Sequence, residues 1–177
     1  VRVEKYALAD GSTRLVAYVD GTRPGGPDTQ PWDLGSNLQA YLERKESDSY
    51  KATVAALRAA GADGATPVDL VGYSQGGMNA DLIAQSGEFN VQGVFTVGSP
   101  IEPALPADVL DVAVRHTDDP VAGLTGAGRP EGLGSSQGMV ITRTAAPGHG
   151  IDVNVPAHQL AEYQETVRLA EQSGDPR

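Results

Sequence analysis

Residues 68–78 constrain this chain most: a short apolar run leads into a serine fenced by glycines, then into helical spacing. Gly72, Ser74 and Gly76 make the pattern G-x-S-x-G, in which a strand turns sharply into a helix and holds a serine hydroxyl out of the bend. The residue types follow from that geometry. A serine in so tight a bend adopts a strained backbone conformation, and glycines two positions to either side let strand and helix approach without side-chain clash. The helix then aims its N-terminal N–H groups at the spot where negative charge develops in acyl transfer. With 22 glycines in the chain, composition alone would supply the bare pattern about 15% of the time, so its weight comes from the strand-like and helix-like runs around it.

A length of 177 residues suits one well-buried domain and is short for two. Aromatic residues make up only 5%, so the core has to be built from Val, Leu and Ala. The formal charge of −10 argues against nucleic acid or an anionic membrane surface as partner, and is otherwise what solubility requires. Without cysteine there is neither a disulfide framework nor a thiolate metal site, and the compartment is left open. No apolar run reaches transmembrane length, so no membrane span is expected. The opening Val1-Arg2-Val3-Glu4 lacks the pattern of a signal peptide; a processed protein and a domain cut from a larger one would both start this way.

Along the chain, residues 1–9 alternate loosely, and Asp10-Gly11 is a two-residue hairpin signal before a second strand at 13–19. A Gly/Pro-rich loop runs to Pro31. Helical spacing follows near Asp33-Leu34 with Leu38, Tyr41 and Leu42 on one face, and again from a cap at Ser47 or Asp48 to a stop at Gly61. After the G-x-S-x-G turn, a helix is expected to end near Ser86-Gly87. Strands are expected at 91–97, 109–115 and 139–142, with a glycine-rich loop over 123–138. From Pro156 onward the spacing predicts a helix with Leu160, Tyr163, Val167 and Ala170 on one stripe. Continuous apolar strands joined by helices imply a single α/β domain over 1–177: an opening β-hairpin, then a mainly parallel sheet with helices on both faces.

A nucleophilic serine needs a base and an acid, and in such folds the chain order is Ser, then Asp or Glu, then His. Asp118 and Asp119 follow the strand at 109–115 directly, at the sheet edge where a carboxylate could orient an imidazole. They compete, since adjacent side chains on extended backbone point apart. Pro120 holds Asp119 extended. His149 and His158 are the candidate bases. His149 sits between glycines, whereas His158 lies in the first turn of the final helix, a firmer mount. His116 precedes the aspartates and reads as a strand-end surface residue. For an oxyanion, the backbone N–H of Gln75 is one expected donor and the 20–22 turn, with the Thr22 hydroxyl, the other. The three histidines lack metal-ligand spacing, no G-x-G-x-x-G follows a strand, and the 123–138 stretch lacks the Lys-Ser/Thr ending of a phosphate loop, so no metal or cofactor is expected.

These motifs, in this order, resemble the α/β-hydrolase superfamily of the lipase and esterase kind, closest to the class 3 lipases. Residues 15–22 (Leu-Val-Ala-Tyr-Val-Asp-Gly-Thr) are similar to that family's strand and oxyanion turn, and Trp32-Asp33-Leu34 to the stretch after it. Gly72 to Gly76 reads GYSQG, the wording cutinases use. Residues 94–100 are similar to the family's strand ending in glycine and proline. Residues 114–121 resemble its catalytic-aspartate segment, and the Asp-x-Val register there places the role on Asp119. Pro156-Ala157-His158 followed by Tyr163 resembles its histidine-plus-aromatic ending. The resemblance implies a serine hydrolase of carboxylic esters, with Ser74, His158 and Asp119 as triad and Thr22 and Gln75 as oxyanion hole. A thioesterase, an acyltransferase or a non-catalytic binding module could use the same fold. The chain is small for a class 3 lipase, lacks cutinase cysteines and shows no hydrophobic lid, which shifts the expected substrate toward a small soluble ester or thioester.

Overall fold

The computed structural model describes residues 1–21, 47–125, 134–148 and 156–174. Strands β1 (Arg2–Ala7), β2 (Thr13–Val19), β3 (Pro67–Tyr73), β4 (Asn90–Val97), β5 (Leu110–His116) and β6 (Gln137–Arg143) form one sheet in chain order. The β1–β2 pair is antiparallel and every later pair is parallel. The expected α/β architecture with an opening hairpin is what the chain forms. Helices α1 (Asp48–Ala59) and α2 (Gln75–Ser86) pack on one face of the sheet, and α3 (Leu160–Gln172) packs by β5 and β6.

Alternation along β3 explains how both faces are covered. Val68 and Leu70 are fully buried and join Leu15, Val94, Leu57 and Ile83 in the core under α1 and α2. Tyr73 points the other way and meets Phe95, Val97, Val114, Tyr163 and Val167 beneath α3. Each fully buried Leu or Ile contributes about 1.5–3 kcal/mol, which lets a core with few aromatics hold the sheet. Local signals set the ends of α1. The Ser47 hydroxyl accepts the Tyr50 N–H at its start. At its end Gly61 (φ 93°) takes the left-handed conformation while Ala62 N–H donates back to Leu57 O, a Schellman closure.

Three local expectations need correction. The β1–β2 turn is not a two-residue hairpin: Gly11 N–H donates to Leu8 O and Leu8 N–H to Ser12 O, leaving a three-residue loop with Gly11 at φ 82°. A two-residue type I′ turn needs positive φ at both central residues, and Asp10 instead turns its carboxylate to the Ser12 N–H and hydroxyl. The segment from Pro156 is not one helix. Pro156–His158 form a 3₁₀ turn, Gln159 is extended (ψ 137°), and α3 starts at Leu160. The break rotates the expected stripe, so Leu160 is 42% exposed while Thr166 is buried beside Tyr163. The 123–138 stretch is not loop throughout: it begins inside a 3₁₀ turn, Ala122–Thr125, and ends within β6, and residues 126–133 lie outside the described residues. The helix expected near Asp33 also lies outside them.

Between β3 and α2 the backbone makes its tightest bend. Ser74 has φ 54° and ψ −122°, the only positive φ at a non-glycine among the described residues. Such a conformation costs of order 1–3 kcal/mol and persists only where its surroundings enforce it. Here the Ser74 N–H donates to Val97 O on β4, and Ser74 O accepts the Met78 N–H of α2. The flanking glycines are required by space. A Cβ on Gly72 would lie 2.4 Å from Gly76 O, and one on Gly76 would lie 2.1 Å from Val19 O and 2.5 Å from Asp20 O.

Gly76→Ala is therefore expected to destabilise the fold by about 3 kcal/mol or more in urea denaturation, since only backbone stands in the way. Gly64→Ala, with nothing within 4 Å of its Cβ, should stay within about 0.5 kcal/mol of wild type.

A buried acid on α2 supplies a second test. Asp81 is 4% exposed, with Oδ2 2.9 Å from Ser99 Oγ, which also lies 2.9 Å from Ile101 O. Burial pushes the Asp81 carboxyl well above its ordinary range, and neither the Ser99 hydrogen bond nor the Arg115 charge offsets it. An acid whose folded pKa is raised loses stability as pH climbs from its unfolded value of about 3.9 toward the folded one. Asp81→Asn, neutral and of the same shape, should melt above wild type at pH 8, with the gap shrinking toward pH 4.

Candidate active site

Ser74 presents its hydroxyl at the C-terminal edge of the sheet, where β3 ends, and Gln75 opens α2 beside it. The β5–α3 side of the molecule brings two further groups to that hydroxyl. His158 Nε2 lies 2.8 Å from Ser74 Oγ, and His158 Nδ1 lies 2.6 Å from Asp119 Oδ2. One imidazole thus joins the serine to the carboxylate. For a neutral ring, the carboxylate contact requires the proton on Nδ1, which leaves the Nε2 lone pair facing the hydroxyl.

Asp119 is 3% exposed and receives three donors. His158 and the Tyr163 hydroxyl (2.6 Å) both reach Oδ2, and the Val121 N–H reaches Oδ1 at 2.8 Å. Burial alone would raise its pKa, but the His158 and Tyr163 hydrogen bonds outweigh it and hold the carboxyl below its ordinary value. Tyr163 is fully buried, and burial followed by the nearby Asp119 charge drives its phenol far above the usual range, so it donates to the carboxylate as a neutral phenol while its oxygen accepts the His116 N–H at 3.4 Å.

Asp118 points elsewhere. Its two oxygens accept the Ala145 and Ala146 N–H groups at 3.0 and 2.7 Å, tying down the chain after β6. The competition between the adjacent aspartates thus separates by direction, one carboxylate toward the imidazole and the other toward backbone amides.

His158 sits at the end of the 3₁₀ turn, outside any regular helix, and side chains hold it. The Tyr73 hydroxyl donates to His158 O at 2.7 Å, and the Tyr73 ring stacks on the imidazole at 5.3 Å between centroids. Tyr163 meets the same imidazole edge-on at 6.3 Å. Gly98 makes room: it has φ 61°, and a Cβ there would lie 3.0 Å from His158 Cε1 and 2.9 Å from the Tyr163 ring. Tyr73 as the clamp on His158 was not anticipated. Its signal is only its place, next to the serine on the face opposite Leu70.

His116 corrects an expectation. Instead of a surface residue it is 2% exposed, stacked on Tyr163 with centroids 3.8 Å apart, because β5 extends one residue further and turns it under α3. Thr22 and His149 lie outside the described residues. Gln75 lies within them and is buried.

A cavity of about 630 Å³ lies under α3, lined in part by Tyr18, Val71, Tyr73, Phe95 and Tyr163. Ser74 and His158 are not among its lining residues, whereas their neighbours Gly72, Tyr73 and Leu160 are. Among the described residues no group of three or more His, Asp or Glu side chains could hold a metal ion, and no helix is long and apolar enough to cross a membrane.

No family model matches the chain, and no curated protein matches it. Among solved structures it is similar to a protein from Pectobacterium atrosepticum whose description as a YdeN-like hydrolase is itself provisional. The two share 19% identity over 88% of each chain, with a TM-score of 0.42.

Proposed function

We propose that this protein is a serine hydrolase that cleaves carboxylic esters through an acyl-enzyme on Ser74. The carrying observation is the unbroken hydrogen-bonded chain from Ser74 Oγ through the His158 ring to Asp119. A binding module that had only kept the fold would have no need of an imidazole within 2.8 Å of a strained, outward-turned serine.

In this mechanism His158 Nε2 takes the Ser74 proton as Oγ bonds to the ester carbonyl carbon. The negative charge that moves onto the carbonyl oxygen is held by the Gln75 N–H at the start of α2, with the Thr22 hydroxyl as second donor. His158 then protonates the departing alcohol as the carbon–oxygen bond breaks. Water, deprotonated by the same nitrogen, attacks the acyl-serine and releases the acid, returning the proton to Ser74. Asp119 keeps the ring in the Nδ1–H form and stabilises its charged state, and Tyr163 in turn fixes Asp119. A small soluble ester or thioester is the proposed substrate. The same acyl-enzyme would pass its acyl group to an alcohol if one outcompeted water.

A fluorophosphonate probe is expected to label wild type and not Ser74→Ala; an unlabelled, folded wild type would overturn the proposal. Asp119→Asn should lower kcat on a nitrophenyl ester by roughly 10⁴-fold, because the amide favours the wrong tautomer of His158. Asp118→Asn should keep activity within about threefold and lose about 1 kcal/mol of stability in denaturant melts, as its carboxylate serves backbone amides.

A further inference from the structure

We infer that His116 is a positioning residue for His158, acting through the backbone carbonyl of Ala157. The inference rests on Ser74 and His158 being the reacting pair and extends the machinery by one buried ring.

His116 Nδ1 lies 2.6 Å from Ala157 O, the carbonyl directly before His158. A carbonyl oxygen can only accept, so the His116 proton sits on Nδ1. Its Nε2 lies 2.7 Å from Thr166 Oγ1 on α3, and Thr166 Oγ1 also receives Arg143 Nε at 2.7 Å. The Thr166 hydroxyl also has Glu162 O in reach at 3.0 Å, a carbonyl that receives Arg143 Nη2 at 2.9 Å as well. The result is one hydrogen-bonded chain from Arg143 through Thr166 and His116 to Ala157, and its last link is fixed in direction by the carbonyl.

Burial lowers the His116 pKa, and Arg143 lowers it further against the opposing pull of the Ala157 hydrogen bond and of Asp118 and Asp119, in keeping with a neutral ring. The consequence for His158 is geometric. Its turn is only three residues long, Pro156–His158, and lacks the ladder of a full helix. His116 grips the carbonyl on one side of His158 while Tyr73 grips the carbonyl of His158 itself. His116 also stacks on Tyr163, so the same ring backs the donor to Asp119. Displacement of a catalytic group by about 1 Å can cost a hundredfold in rate, so a donor that fixes this turn acts on kcat.

The test separates the hydrogen bond from the packing. His116→Phe keeps the stack on Tyr163 and removes the donor; kcat should fall about tenfold to a hundredfold with KM unchanged, and fluorophosphonate labelling should slow in parallel. His116→Asn places an amide N–H near the Nδ1 position and should recover activity to within about threefold of wild type. In the wild type itself, ¹⁵N spectra of the three histidines should show His116 neutral with its proton on Nδ1, assigned by its absence in His116→Asn. This readout needs no variant to be active. Wild-type labelling rates in His116→Phe, equal defects in the Phe and Asn variants, or a proton on Nε2 would each overturn the inference. A wild type that does not label overturns the Ser74 proposal and this inference with it, whereas a labelled wild type with an unimpaired Phe variant overturns this inference alone.

Discussion

The architecture depends on backbone meeting backbone around Gly76. At that point α2 starts so close to the end of β2 that no side-chain carbon fits between them, and β3 delivers Ser74 into the gap in a conformation it would not adopt alone. Contact between polar backbones cannot be improved or loosened by rotamer changes, which makes the bend rigid. A hydroxyl mounted there starts from a known position. The rest of the site has to be brought to it.

What is brought arrives on less regular structure. Asp119 stands just past the end of β5 and His158 on a single 3₁₀ turn, and neither owes its place to a helix or sheet ladder. Side-chain hydrogen bonds replace that support: Tyr163 on Asp119, Tyr73 on the His158 carbonyl, His116 on the carbonyl before it. These donors are buried or half-buried, where water competes least and an unpaired partner would be costly. The sheet face under α3 therefore carries an aromatic and imidazole cluster, where the other face carries mainly aliphatic packing with Tyr50 and Phe89 among it.

The difference between the two faces also explains what could be read from the chain. Periodicity and turn residues made the strands, the Ser47 cap and the serine bend legible, because each is encoded within about ten neighbouring residues. The break at Gln159 was hidden, since residues 156–172 keep an acceptable helical spacing across it; what extends Gln159 is the demand that His158 reach β3 and β5 together. His116 was misread for a similar reason. Beside two aspartates it looks polar and exposed, and only the crossing of α3 over β5 buries it. The Asp118 and Asp119 directions likewise depend on where the 145–146 backbone passes, some 27 residues along the chain.

One feature of the Tyr73 clamp reaches beyond geometry. The residue next to the serine holds the backbone of the histidine, 85 positions later in the chain. Serine and imidazole are thus joined twice, once through the ring and once through the peptide, and the second join forms only when the segment leading into α3 docks on the sheet. A chain folded through β6 but not yet closed by that segment would have its sheet, its bend and its serine, and no imidazole beside that serine. Under the proposed mechanism, turnover would then report completed folding: the onset of activity would mark the docking of the C-terminal segment, and partial detachment of α3 would silence the site before the sheet itself came apart.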